Sequence, residues 1–185
     1  MPRVRVLKRT VIYQGHVIRL IRETLEFNGK RIIRETVQHP GAVVIIPMLS
    51  RSRIVFVRQY RRAIDRELLE LPAGTLGPGE HRRGCAQREL QEETGWRASS
   101  LRQVGQFYAA PGAISEQLTI FLAQGLRYVG ANPDADECIE PVILTMQEAL
   151  RRIWAGTLCD SKSIIGVLMA QRLLAPPRRK LPRVA

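Results

Sequence analysis

Residues 70–96 read E-L-P-A-G-T-L-G-P-G-E-H-R-R-G-C-A-Q-R-E-L-Q-E-E-T-G-W. Gly74, Gly77, Pro78 and Gly79 fall within six residues, a density of breakers that predicts loop. From Arg82 to Thr94 there is no proline, and Gly95 follows, the residue type most used just past a helix C-terminus; a helix is predicted over 82–94. At about 100° per residue, Ala86 and Leu90 share a face suited to burial, while Glu89, Glu92 and Glu93 gather on a neighbouring arc. Glu89 and Glu93 are four apart and so stack roughly 5–6 Å from one another, where like charges repel. Glu92 and Glu93 also occupy the last turn, where the helix dipole is already negative. Arg88, four residues before Glu92, offers the local relief. An acidic, solvated helix end is the ordinary reading. The other is a hard divalent cation, which takes carboxylate and phosphate oxygens together.

On the N-terminal side, 16–27 and 30–38 are rich in β-branched and charged residues, with Asn28-Gly29 between them, the strongest short-range hairpin signal. Their many charges (Arg19, Arg22, Glu23, Arg34 and Glu35 among them) forbid full burial, so this hairpin is expected as a small sheet packed on a neighbour or a second subunit. After His39-Pro40-Gly41, 42–49 is nearly continuous apolar sequence and reads as a buried strand. Residues 54–60 read as another, and Arg51-Ser52-Arg53 between them predicts a second hairpin; 67–71 is ambiguous. Beyond the central helix, 101–109 and 117–125 read as strands, 132–140 as an acidic connector and 142–144 as a last short strand. Thr145 and Glu148 form a T-x-x-E capping box for a helix running to Trp154 and closed by Gly156. Ser161–Leu174 reads as a further helix, with Ile164, Ile165, Leu168, Met169 and Leu173 as its core stripe. The fold class is α+β, a mixed sheet flanked by helices.

The chain has 185 residues, enough for one well-buried domain, expected over 1–174. No run of 18 apolar residues appears, which predicts no membrane span, and the basic N-terminus lacks the apolar core of a signal peptide. Cys85, Cys138 and Cys159 are spaced for neither a zinc site nor a disulfide framework, and a reducing cytoplasm is the expected setting. The net charge of +12 attracts anions: nucleotides, nucleic acid or acidic surfaces. Residues 175–185 are dominated by proline and positive charge and read as a disordered tail, either solubilising or in contact with nucleic acid.

The spacing within the central stretch carries a resemblance. Gly74, Glu80, Arg88-Glu89-Leu90, Glu92-Glu93, Gly95 and Trp96 match G-x5-E-x7-R-E-U-x-E-E-x-G-U (U, bulky apolar) at nine defined positions across 23 residues. That pattern is the signature of the Nudix hydrolase superfamily. Three flanking stretches, H-P-G-A-V (39–43), V-R-Q-Y-R (57–61) and A-P-G-A-I-S-E (110–116), with Pro111 16 residues after Gly95, resemble its ADP-ribose pyrophosphatase branch. The resemblance covers most of 30–125 and implies an α/β/α sandwich, a nucleotide substrate, and a homodimer formed through the region of residues 1–40.

It also implies residue roles. Glu89 and Glu93 correspond to the principal ligands of Mg²⁺ (with Mn²⁺ or Zn²⁺ as alternatives), Glu92 to a further ligand that also serves the chemistry, and Ala73 to a backbone-carbonyl ligand. Arg88 would hold the acids by pairing with Glu92 or Glu80, and Glu80 is either a brace or an outer ligand. Arg61 would bind the diphosphate or the terminal ribose phosphate, Pro111 would shape the substrate loop, and Arg34 would reach substrate across the dimer. Glu116 would orient or deprotonate the attacking water. The chain departs from the branch in lacking the serine that commonly precedes that proline and in having Ala113-Ile114, which bears on substrate range.

The expected function is therefore metal-dependent hydrolysis of ADP-ribose to AMP and ribose 5-phosphate. The alternatives are the same chemistry on another nucleoside diphosphate sugar or a dinucleotide, and a basic nucleic-acid-binding protein on the same scaffold. Nucleic acid is not the expected partner, because aromatics are only 5% of the chain and interleave with no basic motif.

Overall fold

The computed structural model describes residues 4–132 and 139–175. Cys138, most of the expected connector over 132–140 and the basic tail from 176 lie outside the described residues.

Strand β4 (Ala42–Pro47) organises the fold. Its side chains alternate between two cores: Val43 and Ile45 pack with Cys85, Ala86 and Leu90, whereas Val44 and Ile46 pack with Phe56, Leu71, Val167 and Ala170. A strand apolar on both faces has to lie between two layers. Full burial of Ile45 and Ile46 contributes roughly 1.5–3 kcal/mol each. β4 pairs antiparallel with β7 (Ala73–Thr75) and parallel with β9 (Gln117–Tyr128), which in turn carries β8 (Trp96–Tyr108) as the edge, in the order β7-β4-β9-β8. Helix α1 (Arg82–Thr94) covers one face. The other face meets α2 (Met146–Trp154), α3 (Ser161–Leu174) and a second sheet, β10-β5-β6 (Ile139–Thr145, Arg53–Arg61, Arg66–Glu70).

The N-terminal sheet is separate: β1 (Val4–Gln14), β2 (Arg19–Phe27) and β3 (Lys30–Gln38), all antiparallel. Asn28 and Gly29 turn with φ of 50° and 75°, the left-handed pair a two-residue hairpin requires. β1 is exposed along its whole length; its basic composition hid its strand character.

The helix predicted over 82–94 forms with those bounds and ends at Gly95 in the left-handed region (φ 76°). The capping box at Thr145 and Glu148 is present on both arms. Two expectations are corrected. The hairpin between 42–49 and 54–60 does not form: Leu49 donates its N–H to the Arg53 carbonyl at 3.0 Å, but β5 then joins β6 and β10 while β4 stays with β7 and β9. Both segments are apolar on two faces, and stacking them in separate sheets gives each face a cover that a single hairpin could not. The stripe of α3 holds in part: Ile164, Ile165 and Met169 pack against the core, but Leu173 is exposed and the fully buried positions are Ser163, Gly166, Val167 and Ala170. A Cβ at Gly166 would collide with Leu71, so the small residues let α3 close onto β4 and the chain leading to β7.

Candidate active site

The site lies where the run Glu70–Thr75 passes between α1 and α3. Ala73 and Gly74 pair with Val44 and Val43, and this short edge strand touches the acids of α1. The Glu93 carboxylate, on a residue 4% exposed, accepts the Ala73 N–H at 3.1 Å. A Cβ added at Gly74 would overlap the Glu89 carboxylate. Gly74 is therefore the space in which Glu89 sits, and it fixes why glycine begins the signature.

Arg88 offsets the crowding of these acids. Its guanidinium donates to Glu80 at 3.0 and 3.1 Å and to Glu92 at 2.8 Å, and lies 2.7 Å from Glu89. Glu80 also accepts the Gly77 N–H at 3.0 Å, which ties the glycine-rich loop to the helix. The Arg88 hydrogen bonds hold the Glu80 carboxyl down at about 2, and the same bonds raise Arg88 further. Glu80 thus bridges the loop and Arg88, the contacts a brace would make. Cys85 beneath is pushed up to about 12, first by burial and then by Glu80 and Glu89, so its thiol stays protonated.

Two cations, each paired with carboxylates, line the same cavity as Ala73 and Gly74. Arg61 grips Glu70 with two parallel bonds, Nε to Oε1 at 2.7 Å and Nη2 to Oε2 at 2.5 Å, the fork geometry of a guanidinium on a carboxylate. Lys162, on the first turn of α3, pairs with the same Glu70 and with Asp160 at 3.1 Å. Glu70 is 1% exposed; burial opposes its ionisation, but Arg61 and Lys162 outweigh that and hold its carboxyl below the usual range. Asp160 is the N-cap of α3, accepting the Ser163 N–H at 3.0 Å, and the Ser163 hydroxyl accepts the Leu71 N–H at 2.6 Å. The start of α3 and the E-L-P-A-G run are thus one unit.

Glu116 closes the cleft from the loop between β8 and β9. That loop is pinned to the end of β3: Val37 N–H donates to the Ala113 carbonyl (2.8 Å), Ser115 N–H to the Val37 carbonyl (2.9 Å) and His39 N–H to Ser115 Oγ (3.0 Å). Glu116 Oε1 lies 3.8 Å from His39 Nδ1. Arg61, Ala73, Gly74, Glu116, Asp160 and Lys162 line one cavity.

Of the residues singled out from sequence, Arg61, Ala73 and Glu116 meet in that cavity, and Glu89, Glu92, Glu93 and Arg88 form the acid cluster behind Ala73 and Gly74. Two are elsewhere. Arg34 is exposed on β3, opposite Glu23, and bonds the Ile33 carbonyl; Pro111 is exposed in the turn before Glu116. Sequence reasoning missed Glu70, Asp160 and Lys162. A lone acid in L-L-E-L was the available signal for Glu70; nothing local marks Lys162, whose placement is purely tertiary.

The donor set suits a hard ion. Glu89, Glu93 and the Ala73 backbone supply oxygen donors, and Gly74 leaves the room in which the Glu89 carboxylate sits. Among the described residues no three His, Cys, Asp or Glu side chains converge closely enough to hold a metal alone. An ion here would complete its shell with backbone, water and substrate oxygens, the habit of Mg²⁺.

Residues 38–163 match the NUDIX domain family model. The chain is 36% identical over 170 residues to the methanol dehydrogenase activator of Bacillus methanolicus, covering 90% of this chain and 92% of that protein. It is 35% identical to the ADP-ribose pyrophosphatase of Bacillus subtilis, again over 90% and 92%, and 39% identical to that of Mycobacterium tuberculosis, over 85% and 78%. A crystal structure of an ADP compounds hydrolase superposes with a TM-score of 0.81 over 94% of each chain at 22% identity, which speaks to the fold. With its signature acids folded against Ala73 and Gly74 and its homology running nearly end to end, this chain belongs to the Nudix family of hydrolases.

Proposed function

We propose that this Nudix hydrolase cleaves the pyrophosphate bond of ADP-ribose, giving AMP and ribose 5-phosphate, with Mg²⁺ held by Glu89, Glu93 and the Ala73 carbonyl, and Glu92 as a further ligand. The observation that carries it is one cavity lined both by the Ala73–Gly74 backbone, with Glu93 and Glu89 packed directly behind it, and by Arg61 held on a buried counter-ion. A diphosphate presents charge to both. The bound metal supplies charge neutralisation at phosphate oxygens and a more acidic water. Glu116 accepts the proton of the attacking water as its oxygen bonds to phosphorus, and the bond from that phosphorus to the bridging oxygen breaks. Arg61 fixes the phosphate with the guanidinium edge turned away from Glu70. Arg88 takes no part in bond making; it keeps three acids together in the absence of substrate.

We also propose a homodimer through the N-terminal sheet, where Val4, Val6, Val11, Ile12 and Tyr13 are exposed on one strand, with the partner's Arg34 reaching substrate. No described helix is long and apolar enough to cross a membrane; a cytoplasmic setting is part of this proposal.

The test is phosphatase-coupled phosphate release from ADP-ribose, GDP-mannose, diadenosine polyphosphates and capped RNA, with Mg²⁺ and with chelator, for wild type and Glu93→Gln. Turnover of ADP-ribose lost in chelator and in Glu93→Gln is expected. A preference for another member of the panel would replace the substrate, and no turnover at all would overturn the reading. Sedimentation of Val11→Lys/Tyr13→Lys as a monomer, against a wild-type dimer, tests the interface; a monomeric wild type refutes it.

A further inference from the structure

Resting on the diphosphate reading above, we infer that Lys162 is a second substrate-binding cation, its ammonium bonding a phosphoryl oxygen beside the one held by Arg61. Its charge is placed with unusual care for a lysine. The side chain is 14% exposed at the first turn of α3, yet its residue lines the same cavity as Arg61, Ala73 and Glu116. Such burial is costly for an ammonium and is met here by two carboxylates, Glu70 and Asp160. Of its three N–H donors, one bonds Glu70 while Asp160 lies 3.1 Å away as an ion pair, so the ammonium has donor capacity beyond Glu70 on a residue that lines the cavity.

Neutralising Glu70 does not by itself require Lys162. Arg61 already spans both oxygens of Glu70 in the bidentate geometry that satisfies a carboxylate. A second cation on Oε2, itself steadied by Asp160, brings two positive groups to one side of the cavity with their positions fixed before substrate arrives. The α3 backbone adds to this, because its positive end opens at Ser161 and Lys162 on the cavity wall. Asp160 caps that helix and holds Lys162, so it acts as the positioning residue. The resulting arrangement offers two phosphoryl groups two cations, with Glu70 shared between them and Asp160 beside Lys162.

The experiment compares wild type, Lys162→Met and Lys162→Arg in three measurements: KM and kcat on ADP-ribose, pyrophosphate binding by calorimetry, and thermal unfolding. A lost charge-assisted hydrogen bond predicts that Lys162→Met raises KM and weakens pyrophosphate about ten- to a hundredfold. Its kcat is expected to fall much less, and Lys162→Arg should restore most of the binding. Lys162→Met with KM and pyrophosphate affinity within about twofold of wild type overturns the inference, and so does a loss of thermal stability with binding unchanged. If Lys162→Met does not fold, Lys162→Gln is measured against the same limits. Inactivity of the wild type on ADP-ribose would overturn the substrate reading alone, since pyrophosphate binding decides the role of Lys162 independently.

Discussion

Glu70→Ala is the perturbation from which this structure predicts most. Glu70 is 1% exposed and accepts bonds from Arg61 Nε (2.7 Å), Arg61 Nη2 (2.5 Å) and Lys162. Hydrogen bonds to charged groups contribute about 1.5–3 kcal/mol each, and stranding a buried charge by removing its partner costs about 3–5 kcal/mol. The Arg61 side chain is 38% exposed and can rehydrate, whereas Lys162 is 14% exposed and keeps Asp160. The loss is therefore set at the low end, about 3 kcal/mol. For a domain of this size that corresponds to a fall in Tm of roughly 6–12 °C. Glu70→Gln retains one acceptor oxygen and should lose about half as much. Urea and thermal unfolding measure both, with pyrophosphate affinity as the functional readout, since Arg61 and Lys162 lose their shared anchor. A Glu70→Ala protein destabilised by less than about 1 kcal/mol, or binding pyrophosphate as the wild type does, would refute the reasoning.

Three further outcomes are expected. Gly74→Ala places a methyl group in the space of the Glu89 carboxylate and should lower kcat about a hundredfold, with Tm nearly unchanged; turnover within threefold of wild type would show that Glu89 can move without consequence. Glu80, held at about 2 by Arg88, contributes stability that is fully present above the ordinary carboxylate pKa and is lost as pH falls from there through about 2. Stability measured from pH 5 to pH 2 should fall more steeply in wild type than in Glu80→Gln, and equal slopes would refute the pairing. Cys85, buried with its thiol pushed up to about 12, should resist thiol reagents in the native protein while exposed Cys159 reacts, as mass spectrometry of labelled peptides would read. Native labelling of Cys85 at the rate of Cys159 would contradict its burial.

Much of the fold was legible because local rules and tertiary demands agree. Helix α1 begins after a glycine-rich loop and ends at a left-handed glycine, and its bounds follow from those breakers alone. The Thr145–Glu148 box and the Asn28-Gly29 turn are likewise local chemistry. The assignment of β4 and β5 to different sheets was not legible, because continuous apolar sequence states that a strand is covered on both sides without stating by what. For the same reason the large residues of α3 looked like its core face, although the small ones are what permit close approach.

The acid half of the site was readable because its residues lie on one helix and their spacing alone puts like charges together, a cost that only a cation or a cationic partner offsets. Arg88 answers two of those acids, Glu89 and Glu92, together with Glu80 of the preceding loop, which no helix-only argument could apportion. The cationic half was decided by tertiary structure. Arg61, Glu70 and Lys162 come from β5, β6 and α3, and Glu70 and Lys162 stand 92 positions apart in the chain. The sequence by itself determined which residues crowd negative charge onto α1. Arg61 was expected from the resemblance, but only the packing of α3 against the Glu70–Thr75 run decided that Lys162 joins it on Glu70, because a buried carboxylate recruits its partners through space and leaves no period in the chain.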